Sequence, residues 1–72
     1  MIAYRDIDGD SGVLAYDPGP DYIRVQFKNT SRIYCYSYQK AGMANVETMK
    51  ELARNGNGLN SFINRNVKYL YD

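Results

Sequence analysis

Residues 22 to 28 alternate strictly, with Ile23, Val25 and Phe27 on one side and Arg24, Gln26 and Lys28 on the other. Strands turn successive side chains to opposite faces, so a period of two predicts a strand with one buried and one wet face. Before it, Val13 to Tyr16 is a short apolar run closed by Asp17-Pro18-Gly19-Pro20-Asp21, which is dense in turn-forming residues. After it, Lys28 to Arg32 reverses the chain into Ile33 to Tyr38, where Tyr34, Tyr36 and Tyr38 alternate with Ile33, Cys35 and Ser37. The pattern predicts three antiparallel strands behind a polar, acidic lead at residues 1 to 11.

Turn length decides which face of the third strand is buried. A loop of two or four residues sets Phe27 opposite Tyr34, Val25 opposite Tyr36 and Ile23 opposite Tyr38; a loop of three moves the tyrosines among Arg24, Gln26 and Lys28. Three-residue loops usually need a glycine in the left-handed conformation, and Asn29-Thr30-Ser31-Arg32 has none, so the four-residue loop is expected. On that register the tyrosines join the core face with their hydroxyls toward solvent, and Arg24, Gln26, Lys28, Ile33, Cys35 and Ser37 share the open face.

The period changes after Ala41-Gly42. Val46, Met49, Leu52 and Ala53 recur at helical spacing, with Glu47, Lys50, Glu51 and Arg54 turned mostly outward. Asn55-Gly56-Asn57-Gly58 stops that helix, because glycine adopts the left-handed terminal conformation without steric cost. Leu59, Phe62, Ile63 and Val67 mark one face of a second helix, which Asn57 or Asn60 is placed to cap, and Tyr69-Leu70-Tyr71 is expected to pack back on the sheet. The expected fold is α+β: a three-stranded antiparallel sheet followed by two helices packed on one face (βββαα).

Length allows one domain over residues 1–72, with a core at about 13–71. The mixture of 44% hydrophobic and 24% charged residues is that of a folded globular chain. The single cysteine, Cys35, excludes an internal disulfide. With no secretory leader and no membrane-length apolar run, it points to a cytoplasmic protein without membrane attachment.

Histidine is absent, which removes the commonest general base and the commonest metal ligand, and leaves Cys35 without the base that a nucleophilic thiol needs. No catalytic residue, cofactor or metal site is expected. Asp6, Asp8, Asp10 and Asp17 have the carboxylate spacing of a calcium loop, but the preceding helix is missing and Gly12 falls one position late, so the acidic lead is the preferred reading. Gly56 to Ser61 runs glycines into a helix start that could hold a phosphate oxygen; without a P-loop lysine it reads as an interhelical turn.

Charge is distributed unevenly: residues 1–22 carry −4 and residues 23–72 carry +5. An anionic partner for the basic two-thirds is one reading, and an ordinary solvated surface is the other. Arg24, Lys28 and Arg32 near tyrosine tips, with Arg65 and Lys68 on the second helix, resemble the phosphate contacts of a single-stranded nucleic-acid platform.

Tyr34-Cys35-Tyr36-Ser37-Tyr38, then Ala41-Gly42, Met49-Lys50-x-Leu52-Ala53 and Gly58-Leu59-Asn60-Ser61-Phe62-Ile63-Asn64, resemble the KTSC domain family across nearly the whole chain. That family is named for a segment at the C-terminus of some lysyl-tRNA synthetases, and it also occurs as stand-alone small bacterial proteins. Unlike the commoner pattern, the turn at 29–32 carries no glycine. The resemblance implies chiefly structural roles for the motif residues Tyr34, Tyr36, Tyr38, Gly58, Leu59 and Asn60. Through the synthetase association it implies RNA as a partner, and it brings no catalytic residues. The leading expectation is a non-enzymatic module binding RNA or another nucleic acid through a basic sheet face. The alternative is a protein-interaction or homodimerisation module.

Overall fold

The computed structural model describes residues 1–7, 9 and 12–72. Strands β1 (Ile2–Ala3), β2 (Val13–Pro18), β3 (Tyr22–Phe27) and β4 (Ile33–Ser37) form one antiparallel sheet in the order β1-β2-β3-β4. Helices α1 (Tyr38–Ala41), α2 (Met43–Asn55) and α3 (Leu59–Phe62) follow, and α3 runs on into a π-helical turn, Ile63–Val67. The class is α+β, as the periodicity predicts. Strand count, helix count and register differ from expectation, each for an identifiable reason.

The fourth strand comes from the segment expected to be only a lead. Ile2 pairs with Tyr16 and Ala3 with Ala15, and the Tyr4 N–H donates to the Leu14 carbonyl (3.0 Å). Tyr4 is buried, and its hydroxyl accepts the Leu59 N–H at 3.3 Å. The Ile7 N–H donates to the Gly56 carbonyl (2.9 Å), so residues 4 to 7 are tied to the end of α2. Two paired residues are too few to display a period, and the aspartates that follow mask them.

The extra helix arises because Tyr38 leaves the strand. The Ser37 hydroxyl accepts the Lys40 N–H (3.2 Å), which is the bond of a helix N-cap, and the chain turns into α1 one residue earlier than the tyrosine alternation implies. Gly42, at φ +97°, then separates α1 from α2.

In the β3–β4 pair, Ile23 faces Tyr36, Val25 faces Tyr34 and Gln26 faces Ile33. The register is two residues away from the expected one. Because side chains repeat every two residues, the shift leaves the tyrosines on the apolar face. The turn begins early, with Thr30 N–H bonded to the Phe27 carbonyl (3.4 Å). The Thr30 hydroxyl then accepts the Arg32 N–H (3.1 Å), a side-chain turn of the kind Ser and Thr make.

A bulge between Val13 and Ala15 solves a packing problem in β2. Val13 and Tyr16 lie three apart, so strict alternation would put them on opposite faces. The extra residue, exposed Leu14, lets both point inward. They join Ile23, Val25 and Tyr36 from the sheet, Val46, Met49 and Ala53 from α2, and Leu59, Ile63 and Val67 from the C-terminal helix in one core. Burial of side chains of this size contributes about 1.5–3 kcal/mol each before chain entropy is offset.

Lys50 is the one buried charged residue among those described. Its ammonium donates to the Gly19 carbonyl (2.6 Å) and to Glu47 (2.9 Å), clamping the β2–β3 turn onto α2. The Tyr38 hydroxyl donates to the same Glu47 oxygen (2.5 Å), which holds the Glu47 carboxyl below its usual range and pushes the Tyr38 hydroxyl up. Tyr38 is therefore a bracing residue between α1 and α2.

Candidate nucleic-acid interface

The helices cover one face of the sheet and leave the other open. Ala3, Ala15, Gln26 and Ile33 form one row across the open face, and Asp17, Arg24 and Cys35 form the next. Arg24, the cation in these rows, lies 3.6 Å from Asp17 and 5.0 Å from the centre of the Tyr22 ring. Lys28 stands beyond the strand and pairs with Asp6 at 2.8 Å. These two expected phosphate contacts thus each sit beside a carboxylate. Of the calcium-type spacing, Asp8 and Asp10 lie outside the described residues.

A second surface concentrates rings and cations. A cleft of about 380 Å³ opens between the β3–β4 turn and the C-terminal helix. Phe27, Tyr34, Tyr36 and Tyr71 line it, with Tyr34 edge-on to Tyr71 (4.8 Å between centroids, 85°) and to Phe27 (5.6 Å), and Tyr36 edge-on to Tyr71 (6.3 Å). Such edge-to-face pairs suit the ring quadrupoles and fix the rings against one another. Asn29 and Thr30 contribute from the turn, and Asn60, Ile63, Asn64, Lys68 and Tyr69 from the helical side. The Arg32 guanidinium lies over both Tyr34 (4.8 Å) and Tyr71 (5.5 Å), and the Lys68 ammonium lies 5.4 Å from the Tyr69 ring centre. Among the described residues, no carboxylate lines the cleft.

Two local devices build this surface. The first is the π-helical turn. Residues four apart overshoot a full turn of an α-helix and fall short of one in the wider i→i+5 coil. In a helix that is α over 59–62 and π over 63–67, these deviations offset, and Asn60, Asn64 and Lys68 all reach the cleft. Asn66 favours the wide turn: its amide donates to the Phe62 carbonyl (3.1 Å), the acceptor that an α-helix reserves for the Asn66 N–H. The second device anchors Tyr71. The Asp72 N–H donates to the Cys35 carbonyl (2.8 Å), and the Ser37 hydroxyl donates to the Asp72 carboxylate (2.9 Å), which lays the end of the described chain along the β4 edge. Burial and then the nearby Asp72 charge push the Cys35 thiol up, away from the reactive thiolate.

The expected site residues are therefore distributed over several places. Arg32 and Lys68 meet the rings of the cleft, Arg24 and Lys28 stand elsewhere beside carboxylates, and Arg65 is exposed on the π-helical turn. Tyr34, Tyr36 and Asn60 line the cleft, Leu59 is fully buried, and Gly58 at φ +85° precedes α3. The capping expected of Asn57 or Asn60 is not made: Gly58 occupies the N-cap without a side-chain bond. Sequence reasoning missed Asn29, Thr30, Asn64, Tyr69 and Tyr71 as cleft residues. The alternate tyrosines at 69 and 71 were the available signal. No family model matches the chain, and no curated protein or solved structure is found to be similar to it.

Proposed function

We propose that the chain is a KTSC-like, non-enzymatic binding module for single-stranded RNA in the cytoplasm, and that its contact surface is the tyrosine cleft flanked by Arg32 and Lys68. The observation that carries this reading is the composition of the cleft: aromatic rings, amides and a lysine, with no carboxylate among the described residues that line it. Single strands are held by bases stacked on rings and phosphates neutralised by cations, and each stacked base contributes about 1–3 kcal/mol. The open sheet face supports the reading less well, since Asp17 offsets Arg24 there. Self-association through a strand edge would have to use the two-residue β1 or displace Asp72 from β4. Among the described residues, no helix is long and apolar enough to cross a membrane.

The test is an anisotropy titration of a short labelled single-stranded RNA at two salt concentrations. Affinity should fall with salt. Lys68→Glu should weaken binding about tenfold or more and flatten the salt slope by about one counterion, whereas Arg24→Glu should leave both unchanged. Loss in Arg24→Glu alone would return the site to the sheet face. Absence of binding at low salt would remove the RNA reading.

A further inference from the structure

Resting on the RNA reading, we propose that the cleft is a pocket for one unpaired nucleotide: its base stacks on Tyr69, its phosphate meets Lys68, and Asn60 and Asn64 face the polar edge of the base or ribose. At about 380 Å³ the cleft stands at the small end of ligand pockets, which run from about 300 to 1,000 Å³, so it suits one nucleotide unit better than a run of them.

Ring availability singles out Tyr69. Tyr34 and Tyr71 engage each other edge-on, and Tyr36 is 1% exposed. Tyr69, by contrast, is 76% exposed and still lines the cleft. Its neighbour in sequence, Lys68, sets an ammonium over one face of that ring, 5.4 Å from its centre, so a base would stack on the other face with the phosphate contact at the ring's side of the cleft. The same lysine disfavours a cationic guest, which the ring cluster alone would have admitted. Asn60 and Asn64 each offer a donor and an acceptor, the pairing that heterocycle edges and ribose hydroxyls require, and neither makes the surface anionic.

Competition calorimetry on the whole chain separates the outcomes. The probes are adenosine 5′-monophosphate, cytidine 5′-monophosphate, adenosine, inorganic phosphate and a ten-nucleotide single-stranded RNA. The monophosphates should bind saturably, at one per chain, and displace the oligonucleotide, with adenosine and phosphate each at least tenfold weaker. Tyr69→Ala should weaken monophosphate and oligonucleotide alike by about tenfold at an unchanged thermal midpoint, since the ring is largely exposed. Lys68→Gln should erase the advantage of the monophosphate over adenosine. If the oligonucleotide binds and no monophosphate competes, the one-nucleotide pocket is wrong while the RNA reading stands. If neither binds, both fail. If phosphate binds as well as the monophosphates, the cleft is an anion site only and the proposal is overturned.

Discussion

Tyr36→Ala should cost about 3–5 kcal/mol, most of the stability a domain this small is expected to have. Tyr36 is the largest of the fully buried side chains, it faces Ile23 across the β3–β4 pair, and it meets Tyr71 edge-on. Truncation removes the ring and leaves a cavity that both the sheet and the C-terminal segment border. Urea denaturation followed by far-UV circular dichroism measures the loss; a cost below about 1 kcal/mol would contradict a central core role for this ring. The hydroxyl adds a pH dependence. Burial, reinforced by Tyr34 and Tyr71, pushes the Tyr36 pKa up to about 12. The folded state thus holds this proton more tightly than the unfolded chain, so the contribution is fully present below about pH 10 and is lost as the pH rises toward 12. Tyr36→Phe should flatten that alkaline decline, and an unchanged decline would assign it to other groups.

Gly56→Ala should cost about 2–5 kcal/mol, a large loss for one added methyl group. Gly56 caps α2 at φ +72°, a left-handed conformation that costs an L-residue about 1–2 kcal/mol. An added Cβ would also fall 2.8 Å from the Arg5 Cβ, within the segment that bonds Ile7 N–H to the Gly56 carbonyl. Overpacking of that kind typically costs about 1–3 kcal/mol. Gly58 provides the internal control: its φ is +85°, but its Cβ would meet only Leu52 at 3.7 Å. Gly58→Ala should therefore show the backbone cost alone. Equal losses at the two positions, read from urea midpoints, would mean that the N-terminal segment does not press on the end of α2.

The parts of the fold visible in the sequence were those with a sustained period. Ile23-Val25-Phe27 and the faces Val46-Met49-Ala53 and Leu59-Ile63-Val67 each repeat often enough to define a buried side, and they meet in the core. What escaped was set by single contacts between distant residues. Ile2 and Ala3 become a strand because Ala15 and Tyr16 offer an edge, Tyr38 becomes helical through one serine hydroxyl, and the register is settled by the Thr30 turn. The cleft was harder still to read. Its residues come from the β3–β4 hairpin and from a helix whose pitch changes at Ile63, and the tyrosines at 69 and 71 belong to a segment held by the Leu70–Val67 and Asp72–Cys35 backbone bonds. Positive residues were easy to find in the chain, but their neighbours were not. Asp17 and Asp6 beside Arg24 and Lys28 are separated from them in sequence and adjacent only in space.

Amide and side-chain NMR shifts during titration with a short single-stranded RNA test most directly whether nucleic acid enters the tyrosine cleft. The largest changes should fall on Asn29, Thr30, Arg32, Tyr34, Asn64, Lys68 and Tyr69, with Ala15, Arg24, Gln26 and Cys35 nearly unmoved. Shifts concentrated on that second group, or none on either, would contradict binding in the cleft.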